Sequence, residues 1–288
     1  AKLDVTADEI VKEWKDDLKN LPIGTFEFSG HTPPYATLDI EALSAKNSRR
    51  QDATSIYADL DGFTAYVGAN IGTDHGAKSV VRTLHILRAE LDAVLHTDFQ
   101  GRKIRFIGDC VHGLLVEGTA QTTDVEETIS NMTLCAAAMR SSFNISLKRL
   151  KDKGTDAGAM GLAIGFDFGP MNVTRLGMKG DLIRCSVSRG VQNAENEQAR
   201  CNGTETAIGQ NAYDSASDAV KKLFDDNRKR TGLDYDTAVA EMSDQGDKAA
   251  RVAKALGASL LQATTSATAQ PLTFPNKPAG PAKPGGFA

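Results

Sequence analysis

The order in which hydrophobic periodicity changes between Thr54 and Gly177 constrains this chain more than any other feature. An apolar run at Thr54–Asp61 has strand character. From about Gly76 to Leu95, Val80, Leu84, Leu87, Leu91 and Val94 recur at three- and four-residue steps, the spacing of an amphipathic helix. "RKIRFIGDCVHGLLVEG" then gives two short apolar runs broken at Gly108–Asp109, a β-hairpin. Helical spacing returns from Val125 to about Leu150 on Ile129, Met132, Ala136, Met139 and Phe143. "GLAIGFDFGPMNVTRLG" reads as two further strands hinged at Gly169–Pro170. Strand, helix, hairpin, helix, strand is the split βαβ order. The expected fold is therefore α+β, a ferredoxin-like βαββαβ core with its helices on one face of the sheet. A short helix over "RGVQNAENEQAR", a strand near Thr204–Ile208 and further helices extend it.

The flanks are simpler. "DEIVKEWKDDLKNL" is an amphipathic helix that Asp8 can cap, with Ile10, Val11, Trp14 and Leu18 on one face. Residues 1–50 are expected to be an N-terminal elaboration of a central domain over 51–225. A helical extension over 226–268 and a Pro- and Gly-rich disordered tail over 269–288 follow. A net charge of −4 argues against non-specific nucleic-acid binding, which needs a basic footprint. No apolar run approaches the roughly 20 residues that cross a bilayer, so a cytoplasmic protein with no attached sensor or membrane region is expected. Four cysteines without a CxxC pair and five histidines without metal-ligand spacing point to neither a disulfide framework nor a zinc site.

Chemistry concentrates at two acidic positions. Asp59 ends the first strand of the core, and Asp109 occupies the hairpin turn between the second and third. In a split βαβ sheet these strands are neighbours, so the two carboxylates can converge from fifty residues apart. Such pairs, leaving much of the coordination sphere to water and phosphate, hold Mg²⁺ or Mn²⁺. Gly62, Phe63 and Thr64, at a turn entering a helix, offer backbone N–H groups to phosphate. Taken singly, Asp61–Gly62 is ordinary turn punctuation and "IGDC" a common hairpin; the weight lies in the pair.

"IYADLDGFTAYV", "KIRFIGDCVHGLL", "GLAIGFDFGPMNVTRLG" and "AIGQNAYDSAS" resemble, in that order, the blocks of the class III nucleotidyl cyclase catalytic domain, over roughly Thr54 to Leu223. The resemblance implies that Asp59 and Asp109, with the Leu60 carbonyl, bind two divalent ions per active site. It also implies that Gly62–Thr64 wrap a triphosphate and that a ribose 3′-hydroxyl attacks its own α-phosphate, releasing pyrophosphate. Asp61 stands where the family usually has an apolar residue.

The family reads its base with two side chains, which here fall on Arg105 and Cys185. That pair matches neither the adenine nor the guanine pattern. Arginine only donates, so it favours acceptor-rich edges: cytosine, uracil, or O6 and N7 of guanine. Tyr57, on the strand face of Asp59, can project a phenol into the base pocket and narrow it toward a pyrimidine, or serve simply as a core residue. Together these resemble the bacterial pyrimidine cyclases of antiphage signalling, which make cyclic CMP or cyclic UMP for a separate effector.

The family usually places Asn and, four residues on, Arg to stabilise the pentavalent phosphorus. An ungapped reading puts Gln192 and Asn196 there. A shift of one turn puts Asn196 and Arg200 there, and Arg184, Lys179 and Arg189 are nearby cations. The resemblance also implies a head-to-tail homodimer with active sites shared between protomers. The expected function is a cytidylate or uridylate cyclase. The alternatives are an adenylate or guanylate cyclase with an atypical pocket, or a weakly active nucleotide-binding module.

Overall fold

The protein is described by a computed structural model over residues 6–20, 26–157, 159–177 and 182–257. The elements in chain order are α1 (Ala7–Asn20), β1 (Phe28–Ser29), β2 (Ser48–Asp61), α2 (Phe63–Asn70), α3 (Asp74–Ala93), β3 (Arg102–Ile107), β4 (Cys110–Leu115) and α4 (Val125–Asp152). They continue as β5 (Gly161–Leu176), β6 (Ile183–Val187), α5 (Arg189–Ala199), β7 (Glu205–Ile208), α6 (Gln210–Ser215), α7 (Asp218–Lys221), β8 (Lys229–Thr231), α8 (Tyr235–Asp244) and α9 (Lys248–Ala255).

The sheet order is β3-β4-β2-β5-β7-β8, with β1 beside β2 and β6 beside β5. Its central four strands are antiparallel and joined by α3 and α4, which is the ferredoxin-like core the periodicity predicts. Alternation along β2 divides two cores. Ile56, Ala58 and Leu60 pack under α3 and α4, together with Leu87, Leu91, Met132 and Phe143.

Three expectations are corrected. First, the opposite face of the sheet is also covered. Val191 and Ala194 of α5, with Tyr35, Leu38, Ile40 and Leu43, form a second core on Ala53, Tyr57, Met171 and Val173. The helix reaches bare strand backbone at Gly165, where an added Cβ would lie 2.0 Å from the Gln198 amide nitrogen. Secondly, Gly169–Pro170 is no hinge, because β5 runs through it unbroken, with Pro170 opposite Asp52. β7 pairs β5 only as far as Phe166 and β6 pairs it only from Asn172 on, so the second edge is unpaired where Pro170 lacks its N–H. Thirdly, Thr6 rather than Asp8 caps α1: the Glu9 amide donates to Thr6 Oγ1, and Thr6 donates back to the Glu9 carboxylate. Ile10, Val11 and Trp14 of that helix are exposed; the Leu18 side chain and the tail over 269–288 lie outside the described residues.

Among the described residues, no helix is long and apolar enough to cross a membrane.

Candidate active site

β2 delivers Asp59 at the end of its pairing with β4, whose last matched pair is Ala58 with Val111. The β3–β4 hairpin closes through Ile107 and Cys110, so Asp109 sits in the turn at that same end of the sheet. The two carboxylates are close enough to repel. Burial first, then the charge on Asp109, then that on Asp61, push the Asp59 pKa up to about 6. Between them, the Cys110 thiol is pushed up to about 12, by burial foremost and by Asp59 next, so it stays protonated. Leu60 points its side chain into the first core and has only its backbone to offer.

The turn after β2 needs Gly62, whose φ of +84° lies in the left-handed region. Gly62 starts α2 without a side-chain cap, which leaves the first-turn N–H groups of Phe63 and Thr64 without an intrahelical acceptor. Asp61 has a separate structural role. Its Oδ2 accepts the Gly203 amide at 2.8 Å, tying the end of β2 to the loop before β7.

A second cluster forms on the face of Asp59. A bulge between Lys103 and Arg105 turns two successive residues of β3 toward one side, so Arg105 joins Tyr57. The Arg105 charge acts on Tyr57, His112 and Cys185, bringing the three sequence-predicted base-pocket residues together. Arg105 is exposed and makes no hydrogen bond or ion pair to another described residue. Burial raises the Tyr57 phenol pKa, with Glu195 of α5 adding to the rise and Arg105 opposing it. The Tyr57 ring is buried in the second core, so its core role and its place beside Arg105 coexist. Burial also raises the Cys185 thiol.

Gln192 and Asn196 are exposed on α5. Between them, Asn193 turns inward and donates to Asp167 at 2.9 Å. Arg200 is committed to Glu197, which disfavours the one-turn shift. Arg184 is paired with Glu41, Arg189 is exposed, and Lys179 lies outside the described residues.

Sequence reasoning missed Arg88, Glu195, Ser55 and Ser186, and took His112 for a bystander. Arg88 of α3 lies over the Phe106 ring at 4.3 Å and donates to the Gly108 carbonyl, clamping the turn that carries Asp109. Its place on the helix face that meets the hairpin was the available signal.

No family model matches the chain. The sheet order, with Asp59 and Asp109 at one end and Tyr57, Arg105 and Cys185 beside them, is that of the class III nucleotidyl cyclase catalytic domain, and the chain belongs to that family. The crystal structure of a class III adenylyl cyclase-like ATP-binding protein from Pseudomonas aeruginosa matches it with a TM-score of 0.80 and 53% identity, over 84% of this chain and 51% of that one. Among curated proteins, a uridylate cyclase of Pseudomonas aeruginosa is 53% identical over 254 residues, 88% of this chain and 49% of that protein. A uridylate cyclase of a Rhizobium species is 42% identical over 208 residues, 71% of this chain and 39% of that protein. The chain spans half or less of the length of these curated relatives.

Proposed function

We propose that this chain is a pyrimidine nucleotide cyclase whose substrate is UTP, the choice its relatives' name favours. The ribose 3′-oxygen bonds to the α-phosphorus, the bond from that phosphorus to the departing diphosphate breaks, and the 3′ proton is lost. Cyclic UMP and pyrophosphate leave. The observation that carries the pyrimidine reading is the unpaired Arg105 guanidinium beside Tyr57. It offers donors to O2 and O4 of uracil, whereas the Watson–Crick edge of adenine presents an amino donor that arginine cannot satisfy. CTP is the second substrate, since Arg105 satisfies its O2 equally.

Asp59 and Asp109 fit divalent cations: they are two hard oxygen donors, and every group acting on Asp59 opposes its charge. Among the described residues, no group of three or more His, Cys, Asp or Glu forms a metal cage, so the pair leaves coordination positions to phosphate oxygens. Bound there, two Mg²⁺ or Mn²⁺ ions supply the Lewis acidity that acidifies the 3′-hydroxyl and neutralises the diphosphate. The open amides of Gly62–Thr64 hold the triphosphate, and Gln192 and Asn196 donate to the reacting phosphate. We assign these last two, together with Tyr57, Arg105 and Cys185, to the site whose metal pair comes from the partner protomer of a head-to-tail homodimer. Ile107, Leu176, Ile183 and Val187, exposed on β3, β5 and β6, supply apolar surface for that contact. Cyclic UMP then serves as a messenger for a separate effector in antiphage defence, a role that rests on resemblance to the bacterial pyrimidine cyclases.

A second reading, a nucleotide-binding module with little turnover, is favoured by the neutral Gln192–Asn196 pair where the family has an arginine. Incubating the purified chain with each of the four nucleoside triphosphates and Mn²⁺, and identifying products by mass, tests both. Cyclic UMP with pyrophosphate is the expected result. Equal or better turnover of ATP overturns the pyrimidine reading, and binding without pyrophosphate release establishes the second.

A further inference from the structure

His112 lies opposite Tyr57 in the β2–β4 register and opposite Arg105 in the β3–β4 register. Its ring stacks on the Tyr57 phenol, with centroids 4.4 Å apart and planes 8° from parallel. Nε2 is 3.2 Å from the Ser55 hydroxyl on β2 and 3.3 Å from the Ser186 hydroxyl on β6, next to Cys185. Nδ1 is buried without a partner. One imidazole, only 1% exposed, therefore touches or faces each strand that bears a base-pocket residue.

For packing alone this is a costly choice. An aliphatic side chain would fill the space, whereas a buried ring nitrogen without a partner carries a desolvation penalty. What the imidazole adds is direction: a flat surface that fixes the plane of the phenol, and an in-plane nitrogen that ties β4 to β6. We propose that His112 is the positioning residue of the base pocket, holding Tyr57 and β6 so that Tyr57, Arg105 and Cys185 present one fixed surface to a pyrimidine. The assignment rests on the pyrimidine-cyclase reading above. Burial, then the Arg105 charge, lower the His112 pKa to about 3, so at neutral pH the ring adds no second cation beside the guanidinium.

The test uses the full chain labelled with 3-fluorotyrosine, with the Tyr57 resonance assigned through Tyr57→Phe. In the wild type that resonance carries the ring-current shift of a stacked imidazole. His112→Ala is expected to collapse the shift and raise KM for UTP about tenfold or more while kcat changes less than about threefold. His112→Phe is expected to restore the shift and much of the KM, and Ser186→Ala to raise KM with the shift unchanged. If His112→Ala does not fold, His112→Leu, which keeps the volume without the ring, carries the same expectations. A Tyr57 resonance and a KM both unchanged in the folded Ala or Leu variant overturn the assignment. Failure of the wild type to make cyclic UMP instead overturns the activity reading, because the fluorine spectrum reports the placement of the ring without turnover.

Discussion

At Asp109 the demands of chemistry and of stability pull apart. Its charge raises the pKa of Asp59, so in the absence of cations each carboxylate destabilises the other. Asp109→Asn is therefore expected to raise stability by about 0.5 kcal/mol, a figure discounted because both groups are half open to solvent, while cyclic nucleotide formation falls at least about a hundredfold. Thermal melts and product assays check the two halves; a lower melting temperature would contradict the repulsion. His112 makes an opposite kind of claim. Its folded pKa, about 3, lies below the ordinary 6.5, so between those values the unfolded chain binds a proton that the folded ring refuses. This contribution is intact above pH 6.5 and is lost as pH falls toward 3, by at most about 1.4 kcal/mol per unit. Asp59 works in the reverse sense between 3.8 and about 6, folding there being weakened as pH rises. The titratable and charged groups facing His112 are Tyr57, stacked on it, and Arg105, opposite it on β3, with Glu195 acting on Tyr57 from α5. Urea titrations should show the wild type losing about 2 kcal/mol more stability between pH 7 and pH 5 than His112→Phe does, on the same scale, the Asp59 contribution being common to both.

Among the elements, the β3–β4 hairpin depends most on a contact outside its own ladder. Arg88 holds its turn and Lys103 pairs with Asp92 on the same helix, so α3 fixes the position of Asp109. Arg88→Ala is expected to cost about 1–2 kcal/mol of stability through the lost charge-assisted bond and to lower turnover more than nucleotide binding. A variant with wild-type kcat would show that the turn holds itself. This clamp was invisible in the sequence because α3 and the hairpin are read separately; only the docked pair reveals it. What was legible followed from periodicity: β2, the hairpin, α3, α4 and the neighbouring placement of Asp59 and Asp109 all come from apolar spacing. The first half of β2, Ser48–Ala53, was not legible, since its polar residues alternate over a face that only α5 and the N-terminal segment make buried. The Gly169–Pro170 break was misread for a related reason. A proline stops a strand only where the partner edge needs its N–H, and between Phe166 and Asn172 β5 has no strand partner on that edge.

The molecule as a whole places Asp59 and Asp109 at one end of its sheet and Tyr57, Arg105 and Cys185 beside them, with Gln192 and Asn196 facing outward. If each catalytic centre draws the first from one protomer and the rest from another, mixing Asp59→Asn chains with Arg105→Ala chains should regain roughly a quarter of wild-type activity, the share expected from random pairing with one intact site per mixed dimer. No recovery, in a mixture shown to form mixed dimers, would place Asp59 and Arg105 of one chain in the same site. The height of α5 above the sheet belongs to this scale too, because that helix carries the outward-facing pair. At Gly165 the helix rests on β5 with no side chain in between, so a missing methyl acts as the shim that sets how far Gln192 and Asn196 stand out from the sheet. If the proposed shared site holds, Gly165→Ala should lift that pair out of place and lower cyclic nucleotide formation in a product assay, without altering any group proposed to meet the nucleotide.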